Sequence, residues 1–387
     1  MELKRIIFTV INDLNYDQRM IRICTSMHEV GYEVILVGRE KKNSKPLFPQ
    51  PFKQMRMKMW FEKGKLFYIE YNLRLFFFLL THRFDIVCGI DLDSIIPCLW
   101  ISKLKGKSCV YDAHELFTET PEVERRKSIQ KFWLRVEKYA VKRITKGICV
   151  SDGLADYFKS NYGIEFLVVR NFPVQGNESQ LPIEPTNAVR LQTGLNSVTA
   201  RLQTVPSNQK IILYQGTLNV GRGLEALLHA MKSVDAKLVL AGEGDLSHEL
   251  RILVKELNLE NKVEFKGFIS PSVLKTLTRQ SYIGINLLEV RSKNYYHSLA
   301  NKFFDYTEAK VPSLNMNFPE YEKLNKEFEV AVLIDDLQTE KIAESLNSLL
   351  NNEQLYNHLK QNCLQAREQW NWDLEKEKLI TAFKEIN

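Results

Sequence analysis

The chain has 387 residues, enough for two domains of ordinary size, and its 44% hydrophobic and 26% charged content excludes a disordered chain. Net charge is +6 but uneven: residues 1–180 hold 29 Lys and Arg against 21 Asp and Glu, the rest 24 against 26. A basic first half with aromatic residues suits an anionic partner such as a membrane surface or a lipid phosphate. No nucleic-acid recognition motif accompanies that charge, which is spread over many segments, so no nucleic-acid partner is expected.

Six cysteines are scattered without C-x-x-C spacing. Cys88, Cys98, Cys109 and Cys149 sit in apolar runs and read as buried thiols, which points to a reducing, cytoplasmic compartment. The opening MELKRIIFTV carries no signal-peptide pattern, and the charge-free apolar run at 75–81 is too short to span a bilayer. The seven histidines lack paired ligand spacing, so no metal site is expected. Asp91-Leu92-Asp93 is the one D-x-D pair, and it reads as the closure of a strand end.

In chain order, residues 5–11 form an apolar strand pattern, 18–30 a helical one and 32–38 a second strand, a β-α-β unit. No G-x-G-x-x-G follows the first strand; Asp13 and Arg19 mark the loop and helix start instead. Residues 41–65 read as basic and irregular. Residues 67–80 are aromatic-rich and helical, fit either for the core or for a membrane surface. Strands at 84–88 and 108–112 flank a helix at 94–104, and His114 and Glu115 fall just past the second strand, where ligands sit in open parallel sheets. A long helix over 124–144, a strand at 147–150, a helix at 152–162 capped by Ser151 and a strand at 166–169 complete the first unit.

Residues 176–208 are rich in polar residues and Pro and read as a linker. The β/α alternation then restarts, with strands at 210–214, 237–241, 263–266, 283–288 and near 311–316. The expected fold class is therefore α/β, two Rossmann-like doubly wound parallel-sheet domains facing across a cleft: 1–175, 209–370, and 371–387 as a C-terminal helix returning to the first domain.

Three loops carry candidate chemistry. In YQGTLNVGRGL, Gly216, Gly221 and Gly223 permit close backbone approach, Thr217 follows the first of them, and Arg222 sits near a helix start, a candidate pyrophosphate cradle. Gly242 lies in a second Gly turn, and Gly267 and Phe268 could edge a flat base. In SLANKFFDYTEAKVP, Ser298 is the expected N-cap of a helix from 299 to 311, with Asn301, Lys302 and Asp305 on neighbouring faces. Lys302 would meet a phosphate and Asp305 sugar hydroxyls.

Together these segments resemble the GT-B glycosyltransferases, specifically the group 1 (family 4) retaining enzymes of bacterial glycan assembly. The matching segments are Gly216-Thr217-Leu218 with Arg222-Gly223, the helix segment that the family writes SxPNKLFEYxAAGxP, YDAHELFTE, ICVSDGLADYF and VVRNFP. Asp305 stands at the family's ribose-binding Glu, His297 at its first Glu, Ala300 at its Pro and Lys310 at its Gly. The resemblance implies transfer of a sugar from a UDP- or GDP-linked donor to a glycan or polyprenyl-phosphate-linked acceptor, with retention of anomeric configuration and without a metal ion or other cofactor. It gives His114, Arg222 and Lys302 catalytic roles. Gly216, Thr217, Arg222, Gly223, Gly242, Gly267, Phe268, Ser298, Asn301, Lys302 and Asp305 are donor-side candidates. Asp13, Arg19 and Glu115 are acceptor-side candidates. It also implies a cytoplasmic protein, peripheral at the inner membrane face. A sugar-nucleotide epimerase on the same scaffold and a degenerate, non-catalytic binding subunit are the alternatives.

Overall fold

The computed structural model describes residues 3–175, 209–290 and 293–386. The expected linker over 176–208 lies outside the described residues. The first domain contains β1 (Arg5–Thr9), α1 (Gln18–Glu29), β2 (Glu33–Glu40), β3 (Lys53–Lys58), α2 (Gly64–Thr81), β4 (Ile86–Ile90), α3 (Leu92–Lys105) and β5 (Ser108–Ala113). It continues through α4 (Pro121–Glu124), α5 (Lys127–Val141), β6 (Lys146–Cys149), α6 (Asp152–Tyr162) and β7 (Phe166–Val168). The second domain runs β8 (Ile211–Gln215), α7 (Leu224–Ala230), β9 (Lys237–Ala241), α8 (Ser247–Glu256), β10 (Val263–Gly267), α9 (Pro271–Gln280) and β11 (Ile283–Asn286). It ends with α10 (Lys293–Tyr296), α11 (Asn301–Glu308), β12 (Ser313–Met316), α12 (Pro319–Glu327), β13 (Ala331–Ile334), α13 (Thr339–Asn351) and α14 (Glu353–Gln369), and α15 (Trp372–Lys384) closes the chain.

The strand order is β3-β2-β1-β4-β5-β6-β7 in one sheet and β10-β9-β8-β11-β12-β13 in the other. Every recorded strand pair is parallel. Both sheets are therefore doubly wound, with the order reversing between β1 and β4 and between β8 and β11. The crevice at such a reversal is where open α/β sheets hold ligands.

Three expectations needed correction. The segment 41–65 is not wholly irregular: β3 pairs with β2, Ile35 opposite Lys53 through Glu40 opposite Lys58. The helix expected over 124–144 breaks at Arg125 and Arg126 into α4 and α5. Ser298 is not a helix N-cap. Helix α11 starts at Asn301 behind Ala300 and ends at Glu308, while the Ser298 hydroxyl donates to the Tyr295 carbonyl at 2.8 Å.

The first sheet is covered on one face by α2, α3, α5 and α6, and on the other by α1 and α15. The Trp370-Asn371-Trp372 segment crosses between domains. Trp370 sits in the second-domain core and Trp372 among Phe8, Met20 and Ile23 of the first. The Trp372 indole N–H donates to the Ser26 hydroxyl at 2.9 Å, and its backbone N–H to the Pro173 carbonyl at 2.8 Å. Truncating this anchor leaves a cavity and an unpaired hydroxyl. Trp372→Ala should lose about 3–5 kcal/mol of unfolding free energy, read as a lower urea midpoint.

Candidate functional site

On the first-domain side, Arg19 is the organising charge. Helix α1 is capped by Asp17, whose carboxylate accepts from the Met20 N–H at 3.1 Å, and this fixes the first turn that carries Arg19. The buried Arg19 guanidinium donates to the Val169 carbonyl and to Asp112, and meets His114 Nε2, each at 3.0 Å. Asp112 approaches the same His114 nitrogen at 2.9 Å. One ring nitrogen cannot donate to Asp112 and accept from Arg19 at once. Burial works against a charged imidazole, but the Asp112 carboxylate and its hydrogen bond outweigh it and raise the His114 pKa. Nε2 donates to Asp112 when it carries a proton and accepts from Arg19 when it does not. Burial opposes ionisation of Asp112 too, yet Arg19 and His114 hold its carboxyl well below the usual range.

The loop beyond is set by Asp91 and Asn294. Asp91 adopts φ 54, and its carboxylate accepts the His114 backbone N–H at 2.9 Å. Asn294, from α10 of the other domain, accepts the Leu116 N–H at 2.8 Å and turns its amide toward Glu115 at 3.4 Å. Burial, then the nearby Asp91, pushes the Glu115 carboxyl up to about 7. Asp13 is occupied elsewhere: it caps the 3-10 turn Leu14–Tyr16 and pairs with Arg56 at 2.6 Å and with Ser44.

On the second-domain side the loops after β8 and β9 touch. Gly216 has φ 127 and Gly242 φ 148, and a Cβ on Gly242 would fall 1.9 Å from the Gly216 carbonyl oxygen, so no other residue fits there. The Gly216 loop lies beside Lys302. Its ammonium stands 4.0 Å from the Tyr214 ring centroid and 3.5 Å from where a Gly216 Cβ would be. Arg222 lies 5.0 Å from the Tyr295 ring centroid, and its Nε is buried without a hydrogen-bond partner. Lys302 is 8% exposed. Burial first, then the Arg222 charge, pushes its pKa far below that of a free lysine. Buried Lys302 and half-buried Arg222, held against aromatic faces beside open glycine backbone, are an arrangement suited to an anion.

Asp305 lies one turn along α11. It accepts from the Gln215 side-chain amide at 2.8 Å, and Gln215 is itself held by the Thr278 hydroxyl at 2.8 Å. Burial raises the Asp305 carboxyl to about 6, against the pull of Arg22 and Lys275. Arg22, Asn171 and Asn301 form a hydrogen-bonded relay across the cleft that brings the first domain to the start of α11. Gly267 has φ 64, and Phe268 is exposed except where its ring meets Tyr16 of the first domain edge-on at 5.4 Å. Thr217 is exposed, and its carbonyl accepts from the Tyr214 hydroxyl at 2.7 Å. Gly223, with φ 63, caps α7. Among the described residues no cluster of three His, Cys, Asp or Glu suits a metal ion.

The structure thus groups Gly216, Gly242, Lys302, Arg222 and Asp305 on one wall, and Arg19, His114 and Glu115 on the other. Sequence reasoning missed Arg22, Gln215 and Asn294. Arg22 had a signal, being one turn beyond Arg19 on α1. Gln215 ends a strand and Asn294 sits in a four-residue helix, and neither carries a motif.

Comparison with known proteins fits this geometry. The family model described as "Glycosyl transferases group 1" matches residues 200–365, and "Glycosyltransferase Family 4" matches residues 18–172. An uncharacterized glycosyltransferase of Methanocaldococcus jannaschii is 37% identical over 81 residues, 20% of this chain and 21% of that protein. A Campylobacter jejuni protein is 36% identical over 103 residues, 26% of this chain and 27% of its own. Its name is N-acetylgalactosamine-N,N'-diacetylbacillosaminyl-diphospho-undecaprenol 4-alpha-N-acetylgalactosaminyltransferase. These matches thus span about a fifth to a quarter of the curated relatives. Among solved structures, a sucrose-phosphate synthase from Thermosynechococcus elongatus superposes with TM-score 0.77 at 14% identity, covering 98% of each chain. Anabaena HepE in complex with UDP and glucose gives TM-score 0.77 at 13% identity, covering 98% of this chain and 99% of that one. With two family models covering both sheets in sequence order, the chain belongs to the GT-B glycosyltransferases of group 1 and family 4.

Proposed function

We propose that this protein transfers a sugar from a nucleotide-sugar donor to a hydroxyl of a glycan or a polyprenyl-phosphate-linked acceptor, with retention of anomeric configuration. The observation that carries this reading is the pair Lys302 and Arg222. Among the described residues neither the buried Lys302 nor the half-buried Arg222 pairs with a carboxylate, which is unfavourable until an anion arrives. The donor diphosphate supplies that anion. It lies against the glycine backbone at Gly216 and Gly242, between the two cations and the N-terminus of α11.

The same groups serve the chemistry. As the bond from the anomeric carbon to the diphosphate oxygen breaks, the bonding pair leaves with the nucleoside diphosphate. The acceptor oxygen bonds to the anomeric carbon on the face being vacated, and its proton passes to a departing phosphate oxygen. Lys302 and Arg222 stabilise the charge that develops, preorganised and shielded from water, and no metal ion takes part in this reading. Asp305 accepts the ribose hydroxyls and so fixes the position of the anomeric carbon. Gly267 and Phe268 edge the base, and Ser298, Thr217 and Asn301 border the same pocket. His114 contacts the donor sugar or positions the acceptor, with Arg19 and Asp112 fixing its ring. UDP is the favoured base because a solved neighbour of this fold binds it. The name of the Campylobacter relative favours a lipid-diphosphate-linked acceptor.

The first test is thermal stabilisation by free nucleotides and nucleotide-sugars. A ligand at about 100 times its Kd adds roughly 2.7 kcal/mol, and Arg222→Ala should abolish the shift. No shift with any nucleotide on folded protein would remove this reading in favour of a non-catalytic subunit. Lys302→Met separates function from stability. Relieved of a buried charge, the apo variant should unfold at higher urea than wild type, yet show no nucleotide shift and lose about 100–1,000-fold in kcat. Asp305 gives a pH signature. Its folded-state pKa is about 6 against an ordinary 3.8. A carboxyl raised on folding adds stability below pH 4 that is lost as pH rises through 6. The apo Asp305→Asn protein should therefore gain on wild type in urea midpoint between pH 4 and 7. Donor affinity of wild type, which needs the carboxylate, should rise over the same window.

A further inference from the structure

A second group of cations lies in the second domain, away from the cleft. A cavity of about 400 Å³ is formed by the C-terminal ends of α9 and α11 and by α14. Arg279, Lys310, Lys360 and Arg367 line it, and among its described lining residues Glu308 is the one carboxylate. The volume falls within the range of small-molecule pockets, about 300–1,000 Å³.

Pairing inside the cavity leaves positive charge over. Glu308 is 8% exposed and takes Arg367 at 3.0 Å. Among the described residues neither Lys310 nor Lys360 has an ion-pair partner. The helix ends do not use them either. The last carbonyls of α11, at Asp305, Tyr306 and Thr307, accept the backbone N–H groups of Ala309, Val311 and Lys310. The α9 carbonyls at Leu277 and Thr278 accept the hydroxyl and the N–H of Ser281. Two ammonium groups therefore remain for an anion.

Two further observations point to a ligand. Arg367 holds one oxygen of Glu308, while the other, Oε2, is buried with no hydrogen-bond partner among the described residues. A buried carboxylate oxygen calls for a donor. Lys310 holds φ 62 directly behind α11, a left-handed conformation that glycine takes without strain. Backbone strain of this kind collects at ligand sites. We propose that this cavity is a binding site for a phosphorylated polyol, with the phosphate on the Lys310 and Lys360 ammonium groups and a ligand hydroxyl on Glu308. A doubly charged phosphate matches two unpaired ammonium groups, and polyol hydroxyls supply the donor that Glu308 lacks.

The cavity is separate from Lys302 and Arg222 yet shares a helix with the first of them. Lys302 and Glu308 lie about 9 Å apart along the axis of α11. Lys275 of α9 is near both Asp305 and Glu308. Helix α14 runs from the cavity into the Trp370–Trp372 crossing. A ligand here touches both the helix that carries Lys302 and the helix that leads to the other domain.

Binding measured on the Arg222→Ala, Lys302→Met double variant, which lacks the cleft cations, isolates the cavity. Sorbitol 6-phosphate should bind this protein at least about tenfold more tightly than inorganic phosphate, and sorbitol should not bind. Adding Lys310→Gly with Lys360→Gln should weaken sorbitol 6-phosphate about 100-fold. The urea midpoint should not fall with these changes, because glycine takes the left-handed position unstrained. In an otherwise wild-type chain, Lys310→Gly with Lys360→Gln should leave the thermal shift with UDP as it is in wild type. Folded double variant that does not bind sorbitol 6-phosphate would overturn the proposal. So would equal affinity for inorganic phosphate, binding that survives Lys310→Gly with Lys360→Gln, or loss of the wild-type UDP shift in that variant. A wild type that shows no UDP shift counts against the transferase reading alone.

Discussion

A buried lysine, Lys302, with no ion-pair partner among the described residues governs this molecule. Lys302 and Arg222 are brought together by α11 and by the loop after β8, and each is held against a tyrosine ring instead of a carboxylate. The nearest acid, Asp305, lies a turn along the helix and is engaged by Gln215. A fold selected for stability alone would place a carboxylate between the cations or replace them with apolar side chains. Leaving them uncompensated makes the apo state less favourable and the anion-bound state more so. On the proposed reading that difference is available both for donor affinity and for the charge of the leaving group.

The two walls of the cleft are joined at points that share residues with the site. Asn294 bonds across to the His114 and Glu115 loop. Arg22, Asn171 and Asn301 link α1 to α11. Phe172 meets Phe304 edge-on at 4.8 Å, and Tyr16 meets Phe268. Among the described residues, the Trp370-Asn371-Trp372 crossing with its helix α15, and the Phe172–Phe304 contact, bind the domains through large buried apolar side chains. The polar joints cost little to break and re-form, because water replaces their partners. The crossing does not release so easily. The geometry suits rotation about Trp370–Trp372 with the polar contacts opening at the cleft mouth.

Much of this was legible in the sequence because periodicity and loop position are local properties. The α/β alternation, the Gly216 and Gly242 turns, and the placing of His114 past a strand follow from runs of a few residues. What was not legible depends on tertiary context. Strand β3, KQMRMK, looks like loop because its edge position needs only half-buried Met between cations. Ser298 has the chemistry of an N-cap, but the chain at Tyr295 took its hydroxyl first. Helix α2 was open between core and membrane surface because both of its faces are apolar, so no single moment separates them. Asn294 acts through the distance between two domains, which no spacing in the chain encodes.

The departures from the family pattern make sense in the same terms. Lys310 stands where the family writes Gly, and it adopts φ 62 directly after α11, a left-handed position that glycine takes without strain and lysine takes at a cost of about 1 kcal/mol. The backbone geometry is thus kept while the residue has changed. His297 stands where the family has its first Glu. Its carbonyl accepts the Ser151 hydroxyl at 2.9 Å, and its ring lies so close to Gly153 that a Cβ there would come within 2.7 Å. Glu320 takes the Gly153 N–H from the other side at 2.6 Å. The position at which the family has that Glu serves here as part of the joint between domains. Gly216, Arg222 and Lys302, which the proposed reading sets against the diphosphate, match the pattern unchanged. On the proposed reading the departures bear on which sugar is held, and leave the charge arrangement that a sugar diphosphate needs.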